Sequence, residues 1–149
     1  SSRKNSVKEF NMAYTQDDFE DWIILIDFKM DYFTGEFVKE QNLKLDYSIE
    51  SLDELEGWIL ANYKEVNDLI ADRKMLDYLT VYVGETIRKN LGGKWVIDLE
   101  NKENVFYSMP VVINPDRKRA IHLCPLTLSS ASIDRQKWKF ISTVVKNQF

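Results

Sequence analysis

The sequence predicts an α+β fold: a helical N-terminal half packed on a small antiparallel sheet of about three strands, closed by a C-terminal helix. Apolar residues recur at spacings of three and four up to residue 90 and alternate with polar ones from residue 95 onward. The pair Gly92-Gly93 separates the two patterns. With 149 residues, 44% of them hydrophobic, the chain has the length and apolar content of one domain. We therefore expect a polar lead-in over residues 1–14 and a single α+β domain over residues 15–149.

The first predicted helix begins at Thr15, which fits an N-cap, with Asp17 and Asp18 in the first turn, where the helix dipole favours acidic side chains. Its apolar stripe is formed by Phe19, Trp22, Ile23, Ile26, Met30, Phe33 and Phe37. Gly35 interrupts this stripe and is expected to end or bend the helix. A brief extended segment is expected over residues 43–48.

Two further helices are predicted before the glycine pair. Ser51 is expected to cap the second, whose apolar side carries Leu55, Trp58 and Ile59. The third is expected from about Glu65 to Asn90, with a core stripe of Leu76, Leu79, Val83 and Ile87. Asn90 and Gly92-Gly93 are expected to supply the positive φ angles that end it.

The sheet is predicted from alternation over residues 95–100 and 105–113, joined by a polar turn. Pro110 places the second of these strands at an edge or a bulge. A third strand is expected over about residues 120–124. Asp134 is then predicted to cap a last helix with Trp138, Ile141 and Val145 facing inward.

The residues available for catalysis are few. His122 is the only histidine and Cys124 the only cysteine, so an internal disulfide is excluded, and the two are too few for a zinc site. They lie two apart on a predicted strand and should point the same way, as a small buried thiol beside a partly exposed imidazole. We expect no metal and no cofactor.

Several partner classes are disfavoured by composition. No apolar run approaches the ~18 residues of a membrane span, and the first residues have no apolar stretch of the signal-peptide kind. Gly92-Gly93 leaves a helix, whereas phosphate-binding loops lead into one. The basic run 117–119 lies in a turn of a chain whose net charge is −4, which disfavours nucleic-acid binding. A cytoplasmic location is expected, and whether a targeting segment has been removed stays open.

Charge is distributed unevenly along the chain. Residues 15–72 hold 16 acidic and 4 basic side chains, a balance of −12, whereas residues 73–149 hold 7 and 13, a balance of +6. Such an asymmetry is consistent with two halves that attract each other or with an acidic face offered to a basic partner. The residues we single out for that face are Asp17, Asp18, Asp21 and Glu54.

A second candidate is the predicted junction between the third helix and the first strand. Its residues are Tyr82, Gly84, Glu85, Arg88, Trp95 and Tyr107. Glycine inside a helix costs about 1 kcal/mol relative to alanine, which indicates close packing of another backbone or the floor of a pocket. Glu85 and Arg88 are expected to form a surface ion pair. In a groove, Glu85 would instead be an acid or base, Arg88 an anion anchor, and Trp95 or Tyr107 a wall.

Two segments resemble an uncharacterised family of small bacterial proteins. They are residues 45–56 (LDYSIESLDELE) and the run from Tyr82-Val83-Gly84-Glu85 to Gly92-Gly93-Lys94-Trp95, followed by strands and the turn Asn114-Pro115. The resemblance implies a bacterial cytoplasmic α+β domain. Because the family has no established activity, it assigns no catalytic residue.

The leading functional hypothesis is a non-enzymatic binding or accessory protein that uses the acidic helical face. One form would be an immunity-type protein that blocks a basic toxin such as a nuclease. The alternative is a small-molecule-binding protein or a cryptic hydrolase with a groove between Gly84 and Trp95. The chain could act as a monomer, or as a homodimer in which acidic and basic halves meet.

Overall fold

The N-terminal helical segment is longer and less regular than predicted. The computed structural model describes residues 15–149, so the predicted lead-in over residues 1–14 lies outside the described residues. Helix α1 spans Gln16–Ile24, α2 spans Ile26–Tyr32, a π-helical segment covers Phe33–Phe37, and α3 spans Val38–Glu40. The Thr15 hydroxyl accepts a hydrogen bond from the Asp18 N–H at 3.0 Å, which confirms the predicted helix start.

Gly35 neither ends this segment nor breaks it. It lies inside the π-helical segment, and a Cβ atom placed on it would meet nothing within 4 Å. On the inner side, the rings of Phe33 and Phe37 are buried and stack with their centroids 5.0 Å apart. The widened turn therefore keeps both rings in the core while the backbone continues to Glu40.

The predicted second helix is confirmed as α4, Ser51–Asn62, although its first turn is stabilised differently. Ser51 is not the capping residue. The Ser48 hydroxyl accepts the Ser51 N–H at 3.1 Å, and the Ser51 hydroxyl donates back to the Ser48 carbonyl at 2.6 Å. Residues 43–48 form no strand; they are a link that ends in this turn.

The predicted third helix is two helices, α5 (Val66–Ala71) and α6 (Arg73–Leu91). The break lies at Asp72, whose carboxylate accepts the Met75 N–H at 3.3 Å and the Tyr63 hydroxyl at 2.8 Å. An aspartate that caps a helix start in this way competes with continuation of the preceding helix. The continuous apolar spacing on both sides of Asp72 explains why the sequence predicted one helix.

Helix α6 is the central element, packed against α2, α5 and the second strand and buried along most of its length. It ends as predicted at the glycine pair, where Gly92 has φ +74° and Gly93 has φ +123°. Asn90 does not contribute a positive φ. It stays in the helix, and its side chain donates to the Tyr47 and Thr86 carbonyls, both at 2.8 Å.

Three short strands form the predicted antiparallel sheet, in the order β1 (Lys94–Val96), β2 (Val111–Asn114), β3 (Ile121–Leu123). Trp95 pairs with Val112, and Val112 with Leu123. The strands are shorter than predicted because residues 97–110 form turns, and Pro110 precedes β2 instead of interrupting it. Of the alternating apolar residues in this stretch, Met109 is buried, whereas Val105 is 60% exposed.

The chain ends in two helices, α7 (Pro125–Arg135) and α8 (Phe140–Lys146). The predicted capping residue Asp134 lies inside α7, and the link between the helices turns through left-handed Gln136 and Lys139. Trp138 lies in that link and is 56% exposed, so its predicted inward position is wrong.

The buried side chains of helices and sheet form one hydrophobic cluster, which includes Ile141 and Val145 of α8 as predicted. The α+β class and the order of helices, sheet and closing helix are therefore confirmed. Among residues 15–149, no helix combines the length and apolar character needed to span a bilayer.

Candidate functional site

Three of the four predicted acidic residues lie together. Asp17, Asp18 and Asp21 are exposed on α1, where Asp17 and Asp21 are one turn apart. Glu54 is also exposed, but it lies on α4, which packs against α7 and α8. Glu54 is therefore on a different helix from the three aspartates, and within the described part of the chain α1 and α4 share no extensive interface.

The inner side of α1 and α2 is held firmly against α6 and β1. The indole N–H of Trp22 donates to Asp77 of α6 at 2.7 Å, and the Trp22 ring meets the Trp95 ring edge-on, with centroids 4.9 Å apart. Lys29 of α2 pairs with the same Asp77 at 2.7 Å. These contacts fix which side of the two helices faces solvent.

Four apolar side chains lie on that solvent side, and sequence analysis did not identify them. We call Ile24, Leu25, Phe28 and Tyr32 the outer stripe; they are 75%, 47%, 75% and 37% exposed. Helical hydrogen bonding continues through the stripe, because the Leu25 N–H donates to Asp21 and the Leu25 carbonyl accepts the Lys29 N–H. The signal in the sequence was the five-residue apolar run 22–26, which is wider than one helix face can bury.

Acidic side chains border the outer stripe, while at its C-terminal end the Lys74 Nζ of α6 lies 5.8 Å from the centroid of the Tyr32 ring. Residues 16–32 hold six acidic side chains and one lysine, Lys29, which is already paired with Asp77. Glu20, Asp27 and Asp31 are exposed, and we call them the acidic flank. Within residues 15–149 none of the acidic flank, nor any of the three aspartates at the start of α1, has an ion-pair partner. Their charge is displayed to solvent.

At the second candidate site, Gly84 is required by a tryptophan ring. A Cβ atom on Gly84 would lie 1.9 Å from Cη2 and 2.1 Å from Cζ2 of Trp95. The expectation that another backbone packs here is therefore wrong, and the ring leaves no pocket floor at Gly84. Only glycine on α6 lets the first strand place its tryptophan this close to the helix.

Glu85 and Arg88 form an ion pair, at 2.7 Å, but it is not a solvated surface pair. Glu85 is 8% exposed, and its Oε2 atom also accepts the indole N–H of Trp95 at 2.8 Å. Arg88 in turn donates to the Gly93 carbonyl at 3.2 Å. The carboxylate thus ties α6 to the start of the sheet.

An open depression of about 300 Å³ lies beside this cluster, between Asp27 of α2 and the side chains of Arg88 and Lys94. Two residues predicted for the groove are elsewhere. Tyr107 lines a separate depression in the 97–110 segment. Tyr82 is fully buried.

Tyr82 has a structural role. Its hydroxyl accepts the Tyr47 N–H at 2.9 Å and lies 2.6 Å from the Ser51 oxygen. Because the Ser51 hydroxyl donates to Ser48, the Tyr82 hydroxyl is the donor toward Ser51. Burial raises the pKa of Tyr82. This network attaches the 43–48 link to α6.

A fully buried carboxyl group, Glu56 of α4, was not identified from the sequence. It accepts hydrogen bonds from the Ser132 hydroxyl of α7 and from the Ile141 N–H at the start of α8, the latter at 3.3 Å. Burial raises the pKa of Glu56, and these hydrogen bonds oppose the shift. Glu56 joins three helices, and no local pattern marks it as buried.

The predicted buried thiol of Cys124 and the solvent-accessible imidazole of His122 are both found, but the two residues do not share a strand, because β3 ends at Leu123. His122 is exposed on β3 and meets the Phe106 ring edge-on, whereas Cys124 follows the strand and is buried. Burial raises the pKa of the Cys124 thiol, which keeps it in the unreactive protonated form. Among residues 15–149, no three side chains of His, Cys, Asp or Glu come together as metal ligands.

Comparison with known proteins gives no further information on function. No family model matches the sequence, and neither a curated protein nor a solved structure matches the chain. The resemblance of residues 45–56 and 82–95 to a bacterial family therefore stays an expectation. The fold defines an α+β protein.

Proposed function

We propose that this protein is a non-enzymatic binding module that engages a basic protein through the solvent side of α1 and α2. The observation that carries the proposal is the outer stripe, four exposed apolar side chains on the solvent side of α1 and α2, beside carboxylates that have no ion-pair partner among residues 15–149. Single exposed apolar residues are common, whereas a contiguous apolar patch with a polar rim is typical of an interaction site.

The charge distribution supports a basic partner. With six acids and one paired lysine, residues 16–32 carry a local charge of −5. Such a field accelerates encounter with a cationic surface and repels other acidic proteins, while the apolar side chains supply affinity after contact. An immunity-type protein that blocks a basic toxin is one form that this pairing would take.

The proposal is tested by capture of a partner at low salt with two matched variants. Asp21→Lys/Asp31→Lys reverses charge beside the outer stripe, and Glu54→Lys/Asp116→Lys makes the same charge change at exposed positions elsewhere. We expect the wild type and the second variant to retain a basic protein that about 1 M salt releases, because the screening length is then about 3 Å. Capture should be lost with the first variant. Equal capture by both variants would contradict the proposal.

The small-molecule alternative has weaker support. A ligand in the depression beside Arg88 would have to compete for a Glu85 oxygen that already accepts two hydrogen bonds from its own chain. A self-contained homodimer, in which the acidic half meets the basic half of a second copy, would show a doubled solution mass at low salt that falls at high salt.

A further inference from the structure

We infer that the partner presents a cationic amphipathic helix to the outer stripe, with Lys or Arg along one side of its apolar face. This inference rests on the proposed function and specifies the chemistry of the partner at that same surface. It follows from the shape of the outer stripe, from the arrangement of the carboxylates beside it and from the backbone of α1 and α2, whose N–H and C=O groups are hydrogen-bonded within the helices.

The shape of the outer stripe fits a helix laid along it. Ile24, Phe28 and Tyr32 are spaced by four residues, so they form one ridge along the helix axis, and Leu25 lies beside its start. At 1.5 Å per residue the ridge is about 12 Å long, or two turns. A ridge of this kind packs into the groove between side-chain rows of a second helix, and two turns offer that helix two or three apolar anchors.

The carboxylates are arranged on one side of this ridge and at its N-terminal end. Glu20, Asp27 and Asp31 of the acidic flank are spaced by seven and four residues and therefore lie along one edge. Asp17 and Asp21 lie seven and three residues before Ile24, on the same side of α1 as the ridge. A docked helix would meet the acidic flank with one row of basic side chains and would need none on its other side.

Other occupants fit this surface less well. Adding a strand requires free backbone groups at a sheet edge, whereas the backbone of α1 and α2 is hydrogen-bonded within the helices. Phosphate backbones and anionic lipid headgroups would be repelled by a local charge of −5. A cationic helix satisfies both the apolar and the charged part of the surface.

The test uses three fluorescein-labelled synthetic peptides of 18 residues and the full chain, with binding followed by fluorescence anisotropy. The first peptide places leucine and lysine at helical spacing, with the lysines along one side. The second has the same composition in strict alternation, and the third replaces leucine by serine. We expect the helical peptide to bind at least tenfold more tightly than either of the other two.

Two protein variants locate the binding. Ile24→Ser/Phe28→Ser should weaken binding of the helical peptide at least tenfold, which corresponds to about 1.4 kcal/mol. Val105→Ser/Phe149→Ser is the matched control, because these side chains are 60% and 64% exposed elsewhere on the surface. All four positions are exposed, so both variants should keep the thermal midpoint of the wild type, and binding to the control should be unchanged.

Equal binding of the helical and alternating peptides would overturn this inference, as would unchanged affinity of Ile24→Ser/Phe28→Ser. The proposed function and this inference are distinguished by capture of the partner. If a captured basic protein is lost with Asp21→Lys/Asp31→Lys and kept with Ile24→Ser/Phe28→Ser, the result supports the binding module and contradicts the helical partner. If neither variant affects capture, both are wrong.

Discussion

Replacing Gly84 by alanine should destabilise the protein strongly, although alanine is the better helix former. The added Cβ would lie 1.9 Å from Cη2 of Trp95, far inside van der Waals contact. Trp95 is not free to withdraw, because its indole N–H donates to Glu85 and its ring packs against Trp22. Relief of the overlap must therefore displace a buried ring from partners on two elements.

The size of the effect follows from three contributions. Alanine in place of glycine inside a helix stabilises by about 1 kcal/mol. Against this, overpacking a core typically costs about 1–3 kcal/mol, and loss of a hydrogen bond to a charged group costs about 1.5–3 kcal/mol. The net loss in the free energy of unfolding is about 1.5–5 kcal/mol, a large fraction of the stability of an ordinary domain.

Urea unfolding followed by circular dichroism checks this prediction through a double-mutant cycle. Trp95→Ala alone should cost about 3–5 kcal/mol. In that background Gly84→Ala has no ring to meet, so it should be neutral or stabilising by up to about 1 kcal/mol. Gly35→Ala is the matched control, because the position is helical and its Cβ would meet nothing within 4 Å. It should stabilise by about 0.5–1 kcal/mol.

Two results would refute the reasoning. If Gly84→Ala is as destabilising with Ala at position 95 as with Trp, the ring is not what excludes the methyl group. If Gly84→Ala resembles Gly35→Ala in the wild-type background, the Trp95 ring does not lie against α6 as described. Either result would also contradict the contact between α6 and β1 on which the described positions of Glu85, Arg88 and Trp95 depend.

Three other changes have defined outcomes. Burial raises the pKa of Glu56 above its ordinary 4.5, so the folded state retains a proton that the unfolded state releases, and the free energy of unfolding should fall as pH rises from about 4.5 through the raised value. Glu56→Gln should lack this fall, and parallel urea profiles of both proteins between pH 4 and 8 would contradict the assignment. Tyr82→Phe leaves the Tyr47 N–H without its acceptor and the Ser51 oxygen without the hydrogen bond it accepts, and it should cost about 1–3 kcal/mol. The exposed Tyr32→Phe should stay within about 0.5 kcal/mol, and a similar loss in both variants would count against the network. Gly93→Ala should lower the thermal midpoint, because position 93 has a φ of +123° and the added Cβ would lie 2.5 Å from the Ile113 carbonyl oxygen. A thermal midpoint equal to that of the wild type would show that the pairing of β1 with β2 is misplaced.

The sequence predicted the elements whose limits are set by local chemistry. The Thr15 cap and the Gly92 end are examples, because an N-cap oxygen and a positive φ each act within a few residues. The lengths of the strands were overestimated although their limit is also local, because the alternating apolar pattern continues across the turn that ends β1. The Asp98 carboxylate accepts the N–H groups of Glu100 and Asn101 and turns the chain away from the sheet, while the alternating pattern around it continues.

The candidate sites were predictable only where their residues are close in sequence. Glu85 and Trp95 meet across a ten-residue junction, and their proximity was expected. Glu56 was missed because its partners Ser132 and Ile141 lie 76 and 85 residues further along the chain. Burial of a charged side chain by distant helices leaves no periodic signal, and the same holds for exposure of Ile24 and Phe28, whose types alone predict burial.

The charge asymmetry of the two halves is not neutralised by the contacts that join them. Asp53 accepts the Ser142 hydroxyl at 2.5 Å, and Glu56 accepts a hydroxyl and a backbone N–H, so these acids of the first half reach the second half through neutral donors. Within residues 15–149, the ion pair between Lys29 and Asp77 joins a base of the acidic half to an acid of the basic half, so it leaves the excess of each sign unchanged. In the described part of the chain, the acidic flank therefore stays exposed and without ion-pair partners beside the outer stripe. A partner drawn by that charge should associate more slowly as salt rises while its dissociation rate changes little, because apolar contact governs residence once the complex forms.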